Sequence, residues 1–160
     1  MEKKTGRKLN REVLSAYISS NLKTELQSPQ AYYAIERVKG LTAKDLDISF
    51  GQKLDWWLET KGIRRLDFYI SANVSGQWVS NVISGKTMPK KTMAEACTIG
   101  LELNIEEAED LLNRAGYTFS KSNLTDVIVK CYIENEIWDI YEINDVLLER
   151  DLVPLGMRLT

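Results

Sequence analysis

Two carboxamides, Gln77 and Asn81, stand four residues apart in the segment SGQWVSN. On a helix of 3.6 residues per turn both side chains share one face. Each amide offers one acceptor and two donors, and can pair with both N6 and N7 of adenine in a major groove. Hydroxyls stand beside them at Ser75 and Ser80, and cations at Arg64, Arg65, Lys86, Lys90 and Lys91. Such cations neutralise phosphates and make binding salt-sensitive. The set could therefore recognise duplex DNA. Gln77 and Asn81 would read bases, while Arg64, Arg65, Ser75, Ser80, Lys86, Lys90 and Lys91 would hold the backbone. The same residue types are equally ordinary on the solvated face of a helix that binds nothing.

Catalytic chemistry has little to work with. The 160 residues include no His, which removes the commonest general base and the commonest metal ligand. The acidic pairs Glu106-Glu107, Glu109-Asp110 and Glu134-Glu136 are spaced as solvated helix faces are. There is no Gly-rich phosphate loop and no Gly-x-Ser-x-Gly elbow. We expect no catalytic residue, no cofactor and no metal. Cys97 and Cys131 are far apart in sequence and are expected as reduced core thiols. A protein partner is the other class to weigh, and Trp56 and Trp78 are the candidate anchors. Trp56 and Trp57 point about 100° apart on a helix, so both cannot be equally buried.

A pair of short helices must position the amides. The first is expected over 63–72, with Leu66, Phe68, Tyr69 and Ala72 as its apolar positions. Asn73 tolerates the left-handed conformation and can end it. Val74 points back to the core, and the Ser75 hydroxyl caps a second helix. Val79, Val82 and Ile83 form a narrow apolar stripe there, and Gly85 stops it.

These helices, with the Asn73-Val74-Ser75 turn and the Ser84-Gly85 ending, resemble the helix-turn-helix of the phage-repressor (Cro, XRE-like) family. The resemblance covers 49–115. It takes in the preceding SFGQKLDWWLETKG, the basic loop and helix KTMPKKTMAEACTIGLEL, and NIEEAEDLLNRAG in the place of the family's fifth helix. Tyr69 stands where the family usually has a small residue, and Gly76 where it often has a polar base reader. The segment 49–156 also resembles a helical module found at the C-terminus of various bacterial proteins, with the Ala115-Gly116-Tyr117 turn and the closing Pro154-Leu155-Gly156. The repressor resemblance implies sequence-specific DNA binding in transcriptional control, usually as a dimer on paired half-sites. The alternative is a protein-binding adaptor on the same scaffold that no longer reads DNA.

The rest of the chain reads as helices. Leu9, Val13, Leu14, Tyr17, Ile18 and Leu22 recur at helical spacing over 9–26. Ser28-Pro29 starts a second helix that Gly40 ends. These two could pack on the module, form a homodimer interface, or do both. Ser49 with Gln52, and Asn104 with Glu107, are capping boxes. Phe50, Leu54, Trp57 and Leu58 are inward in the first of those helices, and Ile105, Ala108, Leu111 and Leu112 in the second. Between them, Pro89 and Thr92 frame a helix whose buried stripe is Met93, Ala96, Cys97, Gly100 and Leu101. Ser122 and Asp139 are expected to open the last two helices.

The expected architecture is all-α: an N-terminal arm (1–48), a lambda-repressor-like helix-turn-helix unit (49–115), and a C-terminal extension (116–160) on the same core. No run approaches the roughly 20 apolar residues that span a bilayer, and none follows the N-terminal charges as a signal peptide would, so a cytoplasmic chain is expected. Charge is uneven. Residues 51–92 have seven Lys and Arg against three Asp and Glu, while 93–160 have five against fourteen, read as a solvated acidic face.

Overall fold

The computed structural model describes residues 8–22 and 48–156. Among the described residues there are eight helices and no strand, so the chain is all-α. The expected Ser28–Gly40 helix, and the extension of the first helix to residue 26, lie outside the described residues. The helices are α1 (Arg11–Leu22), α2 (Phe50–Thr60), α3 (Arg65–Ser71), α4 (Gly76–Ile83), α5 (Lys91–Gly100), α6 (Ile105–Arg114), α7 (Leu124–Glu134) and α8 (Ile140–Glu149).

Local chemistry explains where they start. Ser49 and Gln52 form the full capping box of α2, and Asn104 and Glu107 that of α6. Asp139 accepts the amides of Tyr141 and Glu142 to open α8. α7 begins at Leu124, and its cap is Asn123 rather than Ser122: the Asn123 side chain accepts the amide of Asp126. α3 also starts late, at Arg65. Ile63 is used to close α2, donating its amide to Leu58 O at 2.9 Å.

One device ends every helix from α2 to α8. A left-handed residue follows the C-cap: Gly62, Asn73, Gly85, Glu102, Gly116, Glu136 and Asp151. The next amide then bonds back to the carbonyl five residues earlier, as Val74 does to Tyr69 and Leu103 to Thr98. After six of the seven helices that next residue is apolar: Ile63, Val74, Leu103, Tyr117, Ile137 or Leu152. After α4 it is Lys86, which is exposed.

α5 lies at the centre. It packs on α3, α6 and α8, and every residue from Met93 to Gly100 is buried. The expected stripe Met93, Ala96, Cys97, Gly100 and Leu101 is buried, but so are Ala94, Glu95, Thr98 and Ile99. Two glycines allow close approach. A Cβ on Gly100 would sit 2.5 Å from Ala72 Cβ, and one on Gly51 would sit 2.1 Å from Val82 O. Cys97 and Cys131 are buried with free thiols.

Several expectations need correction. Leu66 is 65% exposed rather than inward. Phe68 and Ala72 define the buried line of α3, and Leu66 is two residues, about 200°, from Phe68. Val13 likewise faces out of α1. The acidic C-terminal third is not all solvated, since Glu95, Asp126 and Glu142 are buried. Glu142 is bonded by Arg11 and by the Tyr132 hydroxyl, and Tyr17 donates to Glu134, so polar groups help seat α1 on α7 and α8.

The segment after α8 returns to the α3–α4 turn. Asn73 and Asn144 both donate their Nδ2 to Leu155 O, at 3.2 and 3.0 Å, and the Leu155 amide donates to Asn144 Oδ1 at 2.7 Å. Leu155 is fully buried.

Candidate nucleic-acid interface

Seven residues of α3 precede a turn in which Asn73 takes φ of 56° and Val74 is buried. Ser75 is extended, and its Oγ accepts the amide of Trp78 at 3.1 Å, satisfying one orphan donor of α4. The buried stripe of α4 is Val79 and Val82, with Ile83 and Trp78 packed partly against the core. Gln77 and Ser80 are therefore exposed, and Asn81 half-exposed.

Gln77 and Asn81 touch. Gln77 Nε2 donates to Asn81 Oδ1 at 3.1 Å across one turn. The bond uses one donor and one acceptor of the pair. It holds the two amides together on one side of α4.

The cations divide into two groups. Lys86 directly follows α4, donating its amide to Asn81 O at 2.8 Å, and its side chain is exposed. Lys90, the N-cap residue of α5, is also exposed. The other three are engaged. Arg64 is bonded by both Asp67 oxygens, at 2.9 and 3.3 Å, and this carboxylate holds its guanidinium more firmly protonated. Arg65 meets Asp55 at 3.0 Å. Lys91, one residue from Lys90, turns inward to Asp126, which is 1% exposed. Lys91 is thus an internal counter-ion, whereas Lys86 and Lys90 present charge to solvent.

Tyr69 and Gly76 form a contact that the sequence does not announce. A Cβ on Gly76 would lie 2.9 Å from Tyr69 Cε2, so the phenol ring lies against the space that glycine leaves. The large residue on α3 and the missing side chain on α4 are complementary, and together they let the two helices meet at the turn.

The tryptophans also separate. Trp56 is 44% exposed, with Lys53 Nζ 4.0 Å from its ring centroid, and it meets Trp57 edge-on at 4.7 Å. Trp57 and Trp78 are partly buried against the core. A second exposed apolar group was not expected. Leu66 and Ile70 occupy the outer face of α3 at 65% and 58% exposure, and Tyr141 of α8 donates its hydroxyl to Ile70 O at 3.1 Å. The four-residue spacing of Leu66 and Ile70 was the available signal, masked because α3 is apolar on both sides.

Among the described residues no helix is long and apolar enough to cross a membrane. No family model matches the chain, and neither a curated protein nor a solved structure matches it.

Proposed function

We propose that the chain binds duplex DNA sequence-specifically as a transcriptional regulator, with α3 and α4 acting as a lambda-repressor-like helix-turn-helix. α4 enters the major groove, where Gln77 and Asn81 meet base edges. The observation that carries this reading is the bonded amide pair on the solvent side of α4. After their mutual bond, the Gln77 carbonyl and the Asn81 amino group can still meet an adenine edge. Lys86 and Lys90 give the phosphate contacts, and Ser80 adds a hydroxyl. Ser75 serves chiefly as the cap, and Lys91 supports the fold through Asp126.

A fluorescence-anisotropy titration against a pool of short random duplexes, across a salt series, tests the reading. Wild type is compared with Lys86→Glu/Lys90→Glu. Lys91 is left intact, because a carboxylate there would face Asp126 and unfold the joint. Binding that weakens steeply with salt and disappears in the double variant supports the proposal. A folded chain that binds no duplex at low salt refutes it.

A second reading has its own observation. The exposed Leu66, Ile70 and Tyr141, with Arg64 and Arg65 already neutralised by Asp67 and Asp55, suit a protein partner at α3. On that reading, Leu66→Ser/Ile70→Ser abolishes the partner's binding and leaves any duplex binding unchanged.

A further inference from the structure

Glu95 and Asp126 bring two carboxyl groups into a closed core. Each residue is 1% exposed. Glu95 lies on α5 and Asp126 in the first turn of α7. Asp126 Oδ2 accepts twice, from Lys91 Nζ and from the Ser120 amide at 2.8 Å. Its other oxygen, Oδ1, is buried without a partner, and so is Glu95 Oε2. Glu95 stands one helical turn after Lys91, whose ammonium Asp126 accepts, so both carboxyl groups lie beside the same cation.

Two ionised carboxylates at such a site would be unfavourable. Both would be desolvated, one cation would face two anions, and two buried acceptors would lack donors. A single proton removes all three faults. Placed on Glu95, it supplies a donor that the two orphaned oxygens can share, and it leaves one carboxylate for one ammonium.

We propose that Glu95 and Asp126 share one proton in the folded chain, and that this proton latches α5 to α7. Glu95 is the protonated partner, donating Oε2–H to Asp126 Oδ1, while Asp126 remains the carboxylate that holds Lys91 and the Ser120 amide. The assignment follows from the number of bonds each group accepts. Asp126 already has two donors on Oδ2, which favour its charged form, whereas Glu95 Oε2 has none. The charged groups acting on Glu95 are Asp126 from α7 and Lys91 from its own helix. α3 and α6, which also pack on α5, bury only apolar residues: Phe68, Ala108, Leu111 and Leu112. α8 buries one carboxylate, Glu142, and that one is bonded to Arg11 and Tyr132. This proposal stands apart from the DNA reading.

The pH dependence has a definite sign. Burial first, and then the Asp126 charge, raise Glu95 well above its ordinary value of 4.5. A group with a raised folded value contributes stability that is fully present below the unfolded value. That contribution is lost as pH rises from about 4.5 through the folded value. Within that window the folding constant falls by up to about tenfold per pH unit from this one group.

Carbon-13 NMR of the full chain, labelled at the glutamate Cδ, tests the proposal directly. The expected result is one glutamate whose Cδ keeps the shift of a neutral acid at pH 7, while exposed glutamates have titrated. Glu95→Gln should remove that signal. It should also flatten the fall of stability with pH measured by urea unfolding, since Gln keeps a donor toward Asp126 and has no proton to lose. A spectrum in which every glutamate titrates in the ordinary range overturns the proposal. If Glu95→Gln does not fold, the wild-type spectrum still decides. Parallel pH–stability curves for wild type and Glu95→Gln also overturn it.

Discussion

α4 and α5 are consecutive helices of similar length, yet they treat polar residues in opposite ways. α4 buries only Val79 and Val82, and leaves Gln77, Ser80 and Asn81 on its outer side. From Met93 to Gly100 α5 is buried all round, including Glu95 and Thr98, whose hydroxyl donates to Glu95 O at 2.6 Å. The boundary between the two regimes falls between Lys90, exposed, and Lys91, bonded to Asp126. A polar side chain on α4 can exchange its partner for water, and therefore for a ligand, at little cost. A polar side chain on α5 cannot. The difference separates residues that can serve recognition from residues that serve the fold.

Substitutions around the two helices should follow that division. The largest effect is expected at the α5–α7 joint. Asp126→Ala leaves the Lys91 ammonium and the Ser120 amide without their acceptor, and should cost about 3 kcal/mol in urea unfolding. A loss under 1 kcal/mol would show that this joint is no more demanding than the surface of α4. Next comes the seat of α4 on α2. Gly51→Ala forces a methyl against the Val82 carbonyl at 2.1 Å, and about 2 kcal/mol of overpacking should appear as a lower urea midpoint at unchanged slope.

Smaller effects are expected at the turn. Ser75→Ala removes the cap of α4 and should cost about 1 kcal/mol, read as a drop in melting temperature. Tyr69 and Gly76 should couple. Gly76→Ala destabilises the wild type because the ring must move, but costs less in a Tyr69→Ala background, with an interaction energy of roughly 0.5–1 kcal/mol in a double-mutant cycle. Additive losses would mean that the two positions do not share their space. Smallest of all, Gln77→Ala/Asn81→Ala should change stability by no more than about 0.5 kcal/mol, while removing duplex binding in the anisotropy titration. A large stability loss there would move the amide pair from recognition to fold.

Much of the helical plan was legible in the sequence, for local reasons. The capping boxes at Ser49-Gln52 and Asn104-Glu107, the Asn73 stop, and the Ser75 cap depend on residues within a few positions of one another. The stops at Glu102, Glu136 and Asp151 were not legible. Glutamate and aspartate do not advertise a left-handed turn as glycine does, and there the apolar residue that follows, buried at Leu103 and Ile137 and half-buried at Leu152, helps set the ending. Leu66 was misread because α3 has apolar residues on two faces and is short. Periodicity could not say which face the neighbours would cover. For the candidate site, the shared face of Gln77 and Asn81 was legible from their spacing. The engagement of Arg64, Arg65 and Lys91 was not legible from charge counts, which locate cations along the chain but not their partners.

By itself, the sequence determined that this chain is helical, where most helices begin, and that two amides four residues apart share one side of α4. Those are short-range consequences of backbone geometry and capping. Only the tertiary structure decided that α5 is buried on every side, that the Pro154-Leu155-Gly156 segment returns to Asn73, and that Lys91 faces Asp126 while Lys90 faces solvent. Each of these joins residues from different helices or loops. Burial depends on what packs against a residue, and a charge gains or loses its freedom according to the neighbour that packing supplies.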